Sequence, residues 1–417
     1  MSTRARLTIL SFMEFFIWGS WLITIGAYWF QNRQWSGAEF GAIFSTMGIS
    51  AIFMPAITGL IADRFINAER LLGVCHLLGA AVLLFLPQVN DPSTFFWVIL
   101  LYMLFYMPTI SLANTVSYTV LVSSGRNIVT DFPPIRVWGT IGFIVAMWIV
   151  SLLKIETSAL QFYVAAAASV GLGIYAFTLP ACPPRAVAKQ SDSLISLFGL
   201  QAFSLFKDVK MALFFIFAML LGAALQLTNA YGDTFLHDFD KIEAYQQSVV
   251  VQYPAIIMSI SQMSETLFIL AIPFFLKRFG IKKVMLISMI AWVFRFGLFA
   301  YGNPGDGLWM IIVSCIVYGM AFDFFNISGS LFIETTTDSK IRSSAQGLFM
   351  MMSNGFGALF GGLLSGIVID KYFTHDGLRD WHSIWLSFAG YALVIGILFA
   401  VMFKHKHDPK AVENVSH

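Results

Sequence analysis

Twelve long apolar stretches, separated by short polar connections, constrain this chain more than any other feature of its sequence. They fall at about 7–30, 40–62, 71–90, 95–122, 134–153, 158–180, 211–235, 250–276, 284–302, 307–333, 343–371 and 383–403. A helix needs roughly 20 apolar residues to cross the hydrocarbon layer of a bilayer, so each stretch is long enough to span one. The alternation of a membrane β-barrel is absent, which leaves helices. Composition agrees. Hydrophobic residues make up 58% of the 417 and charged residues 12%, about half the charge of a soluble domain. No single water-soluble core could absorb that much apolar side chain. A disordered chain, a nucleic-acid binder and a secreted disulfide scaffold are excluded at this level. The net charge of +2 implies no polyanionic partner. Cys75, Cys182 and Cys315 are scattered and match neither a metal spacing nor a disulfide framework. The segment before the first stretch, with Arg4 and Arg6, has the basic head of a signal peptide. The apolar part is too long and no small-residue cleavage site ends it, so it reads as a retained span.

Orientation follows from the basic residues of the connections. With both termini cytoplasmic, 18 of the 25 Lys and Arg residues fall in inside segments. Five fall outside (Arg33, Lys154, Lys241, Lys371 and Arg379), and only Arg136 and Arg295 lie within spans. Asn326-Ile-Ser328 is formally a glycosylation sequon but lies inside a span. The longest connection, about 181–210, divides the spans six and six, and its segment Leu194–Leu205 is amphipathic enough to lie on the membrane surface. The expected organisation is a six-helix bundle over 1–180, a cytoplasmic linker over 181–210, a second bundle over 211–404 and a tail over 405–417.

The halves echo each other. Gly59-Leu-Ile-Ala-Asp63-Arg64-Phe65 closes span two, and Pro273-Phe-Phe-Leu-Lys277-Arg278-Phe279 closes span eight, 214 residues later. Tyr106 and Asn114 in span four are matched by Tyr318 and Asn326 in span ten, and Ile135-Arg136 by Ile341-Arg342. Three matches in order at nearly one offset indicate a duplicated six-span unit. The arrangement resembles the major facilitator superfamily, as does the turn Gly59–Arg70, although Ile66-Asn67 departs from that superfamily's glycine-basic continuation. The resemblance implies an all-α membrane protein of 12 transmembrane helices, with two pseudo-symmetric six-helix bundles around a central cavity.

Duplication separates scaffold from site, because scaffold residues should be echoed and site residues need not be. At the 214 offset, Gly48-Ile-Ser50-Ala51 aligns with Gln262-Met-Ser264-Glu265. The serine is shared; the amide and the carboxylate belong to the second half alone. An ionisable group at the bilayer centre costs roughly 2.5–3.5 kcal/mol on insertion scales, so each one needs a reason. Glu265 lies mid-span, one turn from Gln262 on the same face. It reads as a substrate-binding or proton-titrating carboxylate, the alternative being a structural acid paired across helices. Asp323 is central in span ten, one position off the aromatic stripe of Tyr318 and Phe322, and suits a proton or gating role. That stripe could equally be packing in a chain with 42 Phe.

Gln226 and Asn229 share a face of span seven and are either ligands or interhelical glue. Arg136, Thr140 and Phe143 follow one face of span five, and Arg136 could instead be a positive-inside anchor. Glu14, in span one, faces either a cavity or a basic neighbour. Arg295 in span nine is expected to snorkel to the outer interface, and His76 in span three to be structural. Gly355, Gly357, Gly361, Gly362 and Gly366 read as close helix packing, with no strand before them to make a phosphate loop. Walker, HExxH and assembled Ser/His/Asp motifs are absent, so neither ATP-driven transport nor an enzyme is expected, and no cofactor or metal.

Longer strings carry a closer resemblance. Phe16-Ile-Trp-Gly-Ser-Trp21, Val129-Thr-Asp-Phe-Pro-Pro-Ile-Arg136, Ile256–Glu265 with Ile272-Pro-Phe-Phe-Leu276, and Phe322-Asp-Phe-Phe-Asn-Ile-Ser-Gly329 resemble the nucleoside:proton symporters of enteric bacteria, over essentially the whole chain. The resemblance implies proton-driven nucleoside import by alternating access in the bacterial inner membrane, by a chain expected to work as a monomer in the lipid bilayer. A nucleoside has a flat base and a hydroxylated ribose. Arg136, Thr140, Phe143, Gln226, Asn229, Gln262, Glu265, Tyr318 and Phe322 offer rings for the base and polar groups for its edge and the ribose. Asp323, with Glu265, is the candidate for the proton. A sugar or oligosaccharide:proton symporter is the alternative within transport, and a non-transporting membrane receptor or sensor the alternative outside it. The short tails leave no room for a signalling domain, and the several specific polar groups argue against multidrug export.

Overall fold

The computed structural model describes residues 2–184, 200–338 and 341–405. Nine helices among them are long and apolar enough to cross a membrane by themselves. Three local features raise this to twelve spans. Pro254–Tyr301 is one 48-residue helix only by hydrogen bonding, because Gly280 breaks it at φ 77° and ψ 167°. The guanidinium of Arg295 bonds the Ser261 hydroxyl, so the chain folds back on itself about that break, giving span eight (254–279) and span nine (281–301). Leu160–Ala176 is a 17-residue apolar helix, span six. Span one begins as Thr3–Gly19, relaxes through residues 20–24, and resumes as Ile25–Ala27 and a π-helical turn, Tyr28–Asn32. The others are Gly37–Arg64, Ala68–Phe85, Pro92–Ser123, Ile128–Leu152, Val209–Asp238, Leu308–Thr336, 342–372 and Trp381–Met402. Two residue pairs, Thr374–His375 and Leu378–Arg379, form the one small β-ribbon among the described residues.

Span starts are set chemically. Asp91, Asp208 and Asp380 accept the backbone N–H of Thr94, Met211 and Ser383 respectively, satisfying donors that a helix start leaves without intrahelical partners. Outside the spans, these bonds hold the Asp91 and Asp380 carboxyls below the usual carboxylate range. Span five starts at Ile128, six residues before the expected position, and carries Pro133 and Pro134 inside it. The prolines cost hydrogen bonds only to carbonyls of the first turn, which a helix tolerates far better than losses at its centre. Arg136 therefore stands well inside the helix. Of the expected surface segment, residues 194–199 lie outside the described residues, and Leu200–Lys207 form a 3-10 helix. Arg185, Lys189, Lys340, Lys406 and Lys410, five of the 18 basic residues assigned to inside segments, also lie outside them.

Contacts divide the chain into two compact units, Met1–Phe198 and Gly199–His417. Within the first, span one packs on span five through Gly19 and Gly142; a Cβ at Gly19 would meet the Phe143 carbonyl oxygen at 2.5 Å, and Gly142 abuts the Phe12 carbonyl. Within the second, span eleven packs on span seven through Gly357 and Gly361, against Met219 and Ala223, while Gly222 abuts the Ser353 carbonyl. Small residues let membrane helices approach this closely. The serine shared by the duplication makes the same bond twice: Ser50 donates to the Met103 carbonyl in the first unit and Ser264 to the Ile316 carbonyl in the second. Cys75, Cys182 and Cys315 are all buried and free.

Candidate functional site

In the second unit, span ten brings four of the expected residues together. Gly319 lies so close to span eight that a Cβ there would sit 2.7 Å from the Ser264 carbonyl and 2.8 Å from the Glu265 nitrogen. Glu265 is thereby set beside Tyr318 and Asp323, near enough to interact electrostatically with both. The rings of Tyr318 and Phe322 are nearly parallel, 13° apart, with centroids at 6.1 Å. Trp292 meets Tyr318 edge-on at 5.9 Å. Phe322 and Asn326 also border a crevice of about 30 Å³, room enough for an ordered water.

Three expected residues present buried acceptors without a protein partner: Gln226 Oε1, Gln262 Oε1 and Asp323 Oδ2. A buried polar atom left unsatisfied costs about 1–3 kcal/mol, and each of these can take a hydrogen bond from a ligand's hydroxyl or N–H. Asn229 is half-buried, three residues beyond Gln226.

Arg136, Thr140 and Phe143 belong to the first unit. The guanidinium of Arg136 lies 4.0 Å over the Phe15 ring. A Cβ at Gly139 would meet Arg136 Nη1 at 2.7 Å and Ser11 Oγ at 3.1 Å, so the arginine lies along span five against span one. Phe143 meets Trp18 edge-on at 6.3 Å, and Trp18 meets Tyr106 at 5.9 Å. Thr140 is half-buried one turn beyond Arg136.

Arg295 contradicts the sequence expectation. It is completely buried. Nε donates to Thr228 Oγ1 at 2.8 Å, and Nη1 to the Ser314 carbonyl at 2.8 Å and Ser261 Oγ at 3.3 Å. Its guanidinium lies 4.6 Å from the Tyr318 centroid, against one ring of the aromatic pair. Snorkelling would require leaving these partners. The sequence offered only a weak sign of this, serines and a threonine in neighbouring spans. Glu14 has the basic neighbour of its two alternatives: His76 Nε2 lies 2.9 Å from its Oε2, with both side chains buried.

A family model described as "Nucleoside H+ symporter" matches residues 1–408. The chain belongs to the nucleoside:proton symporter family. It is 54% identical to the xanthosine permease of Escherichia coli K12 over 415 residues, 99% of each chain, and 53% identical to that strain's nucleoside permease NupG over 422 residues, all of each chain. A crystal structure of the nucleoside transporter NupG carrying D323A superposes with a TM-score of 0.94 at 52% identity, covering 97% of this chain and all of the other. The chain is therefore a multi-pass membrane transporter of the major facilitator fold, and not an enzyme.

Proposed function

We propose that this family member imports nucleosides with protons across the bacterial inner membrane, with both termini cytoplasmic. The observation that carries the reading is the parallel Tyr318–Phe322 pair with Asp323 and Glu265 beside it. A nucleobase laid on an aromatic face gains roughly 1–3 kcal/mol per stacked base in nucleic-acid binders. The acceptors of Gln226 and Gln262 suit ribose hydroxyls and base N–H groups, and Asn229 and Glu265 extend the same polar surface. Arg136, Thr140 and Phe143, in the first unit, are a separate set of candidate recognition residues.

Coupling needs a group whose protonation differs between conformations. A carboxylate facing water stays ionised, whereas the same group in a dry bundle is driven towards its neutral form; that difference links proton binding to conformation. Asp323 is the leading such group, with Glu265 sharing substrate binding and part of the coupling. One proton moved through the potential yields roughly 2.3 kcal/mol per 100 mV, enough to concentrate a neutral solute. The bias of Lys and Arg towards one side supports the orientation. The deciding experiment is uptake of labelled uridine and xanthosine into proteoliposomes with and without an imposed pH gradient. Accumulation that needs the gradient supports the reading. Accumulation of a disaccharide instead, or no gradient dependence, overturns it.

A further inference from the structure

The first unit contains a buried titratable cluster that substrate binding does not use. Glu14 of span one, His76 of span three, Tyr106 and Thr109 of span four and Ser169 of span six are all nearly or fully buried. Proton positions there follow from counting donors. Ser169 Oγ donates to the His76 carbonyl at 2.9 Å, so its one proton is used. His76 Nδ1, 3.3 Å from the same oxygen, donates to it in the tautomer that keeps both of these bonds. Thr109 Oγ1 lies 2.5 Å from the Tyr106 carbonyl and 2.6 Å from Glu14 Oε1; its single proton cannot fully serve both. On the remaining axis, His76 Nε2 and Glu14 Oε2 are 2.9 Å apart. A hydrogen bond there requires one proton, either on the carboxyl facing a neutral imidazole or on an imidazolium facing a carboxylate. Without that proton the contact survives only if the imidazole hydrogen moves to Nε2 and Ser169 turns its own proton from the His76 carbonyl to Nδ1, so loss of the proton weakens the clasp.

The same junction recurs in the second unit with different chemistry. Thr228, Arg295 and Tyr318 occupy spans seven, nine and ten as Glu14, His76 and Tyr106 occupy spans one, three and four. Thr228 lies 214 residues after Glu14 and Tyr318 lies 212 after Tyr106. There the basic group is a guanidinium, which never loses its proton in proteins. Only the first unit's version can load and unload one.

We propose that Glu14 and His76 form a proton-binding site that clasps span one to spans three, four and six while protonated and loosens when the proton leaves. Its place in transport rests on the proton-coupled reading above; its existence as a proton site does not. The surrounding titratable and charged groups are Cys75 on span three, Tyr102 and Tyr106 on span four, Arg136 on span five over Phe15, Tyr175 on span six, bonded to the Arg6 carbonyl, and Arg4 and Arg6 on span one. Tyr106 donates to the Glu14 backbone carbonyl at 2.7 Å and leaves the carboxyl to His76 and Thr109.

The test compares the full-length protein with Glu14→Gln and His76→Gln. Glutamine at 14 keeps the shape of a protonated glutamate and can donate to His76 at every pH. The thermal unfolding midpoint of purified protein is followed across the window of about pH 5 to pH 8, where histidine titrates. A proton-dependent clasp makes the wild-type midpoint fall as pH rises, while the Glu14→Gln midpoint stays flatter. A purely structural contact displaces the curves in parallel and overturns the proposal. In proteoliposomes, the pH midpoint of gradient-driven uridine uptake should move by about one unit in either variant, a tenfold change in proton affinity, with counterflow exchange retained. Wild-type profiles in variants that still take up uridine confine the pair to stability and overturn its role in coupling. Absence of uptake by the wild type counts against the transport reading instead, and the unfolding curves still decide the site. Should Glu14→Gln fail to insert, Thr109→Val leaves both titrating groups in place and must shift the same unfolding profile; an unshifted profile there overturns the proposal.

Discussion

The guanidinium carbon of Arg295 lies 4.6 Å from the centroid of the Tyr318 ring, and the group is held there by Thr228, Ser261 and the Ser314 carbonyl. Spans seven, eight, nine and ten thus meet at one side chain, and the ring that heads the aromatic pair has a charged backing. Arg295→Met should lower the unfolding midpoint, at about 1–3 kcal/mol for each buried polar group left without its partner. It should also weaken nucleoside affinity, since Tyr318 loses its support. Arg295→Lys keeps the charge but not the fork and should fall between the two. Calorimetry of the purified variants, with and without uridine, measures both effects.

Gln262→Ala and Phe322→Ala address the binding surface directly. Each should weaken nucleoside binding, Gln262→Ala by about 1–3 kcal/mol for a lost buried hydrogen bond and Phe322→Ala by a similar amount for a lost stacking face. Expression and insertion should be unaffected. Unchanged affinity by titration calorimetry in both would remove these residues from the site.

Asp323→Asn keeps shape and removes titration. It should abolish accumulation driven by a pH gradient while leaving nucleoside binding or counterflow exchange. If the variant still accumulates substrate against a gradient, the proton is carried elsewhere, and Glu265→Gln is the next variant to assay.

Arg136→Lys should impair uptake. The planar guanidinium lies 4.0 Å over the Phe15 ring and along Gly139, a fit that a lysine ammonium cannot reproduce. Normal uptake at normal expression would return Arg136 to the basic residues that merely orient the chain.

Asp91→Ala should lower the unfolding midpoint in a pH-dependent way. The Asp91 carboxyl accepts from both the backbone and the hydroxyl of Thr94, and these bonds hold it below its ordinary value. A depressed carboxylate contributes stability that is fully present above its unfolded value near pH 4 and is lost as pH falls through the lower folded value. The gap between wild type and Asp91→Ala should therefore be widest near neutrality and close under acid. A gap that widens on acidification would contradict the assignment.

Much of the fold was legible because a bilayer imposes length on every span and duplication imposes an offset. Ser50 and Ser264 show how far that goes: one alignment predicted a shared scaffold residue, and both make the same bond to the adjacent span. Glu265 and Asp323 could be singled out because a carboxylate at mid-span is expensive wherever it faces. Arg295 misled for the complementary reason. Its partners are hydroxyls and a carbonyl, which carry no signature in sequence, so a lone cation in a span looked destined for the interface. The Glu14–His76 pair is separated by 62 residues, and no periodicity within either helix points to the other. The apolar stretch of span five begins at Pro134, whereas the helix begins at Ile128; only the geometry shows the turn, with Thr130 and Asp131, that precedes the prolines.

Gly280 gives one backbone angle an outsized consequence. A straight 48-residue helix would run about 72 Å at 1.5 Å per residue, more than twice the hydrocarbon thickness of a bilayer. The break at φ 77° turns that rod into a hairpin of two spans, in a region of backbone space open essentially to glycine alone. Handedness, not size, is what the position selects. An L-alanine there is strained, whereas its mirror image, D-alanine introduced by chemical ligation, favours positive φ and would rigidify the bend. The chirality of a single residue thus decides whether this stretch of chain can fit inside a membrane at all.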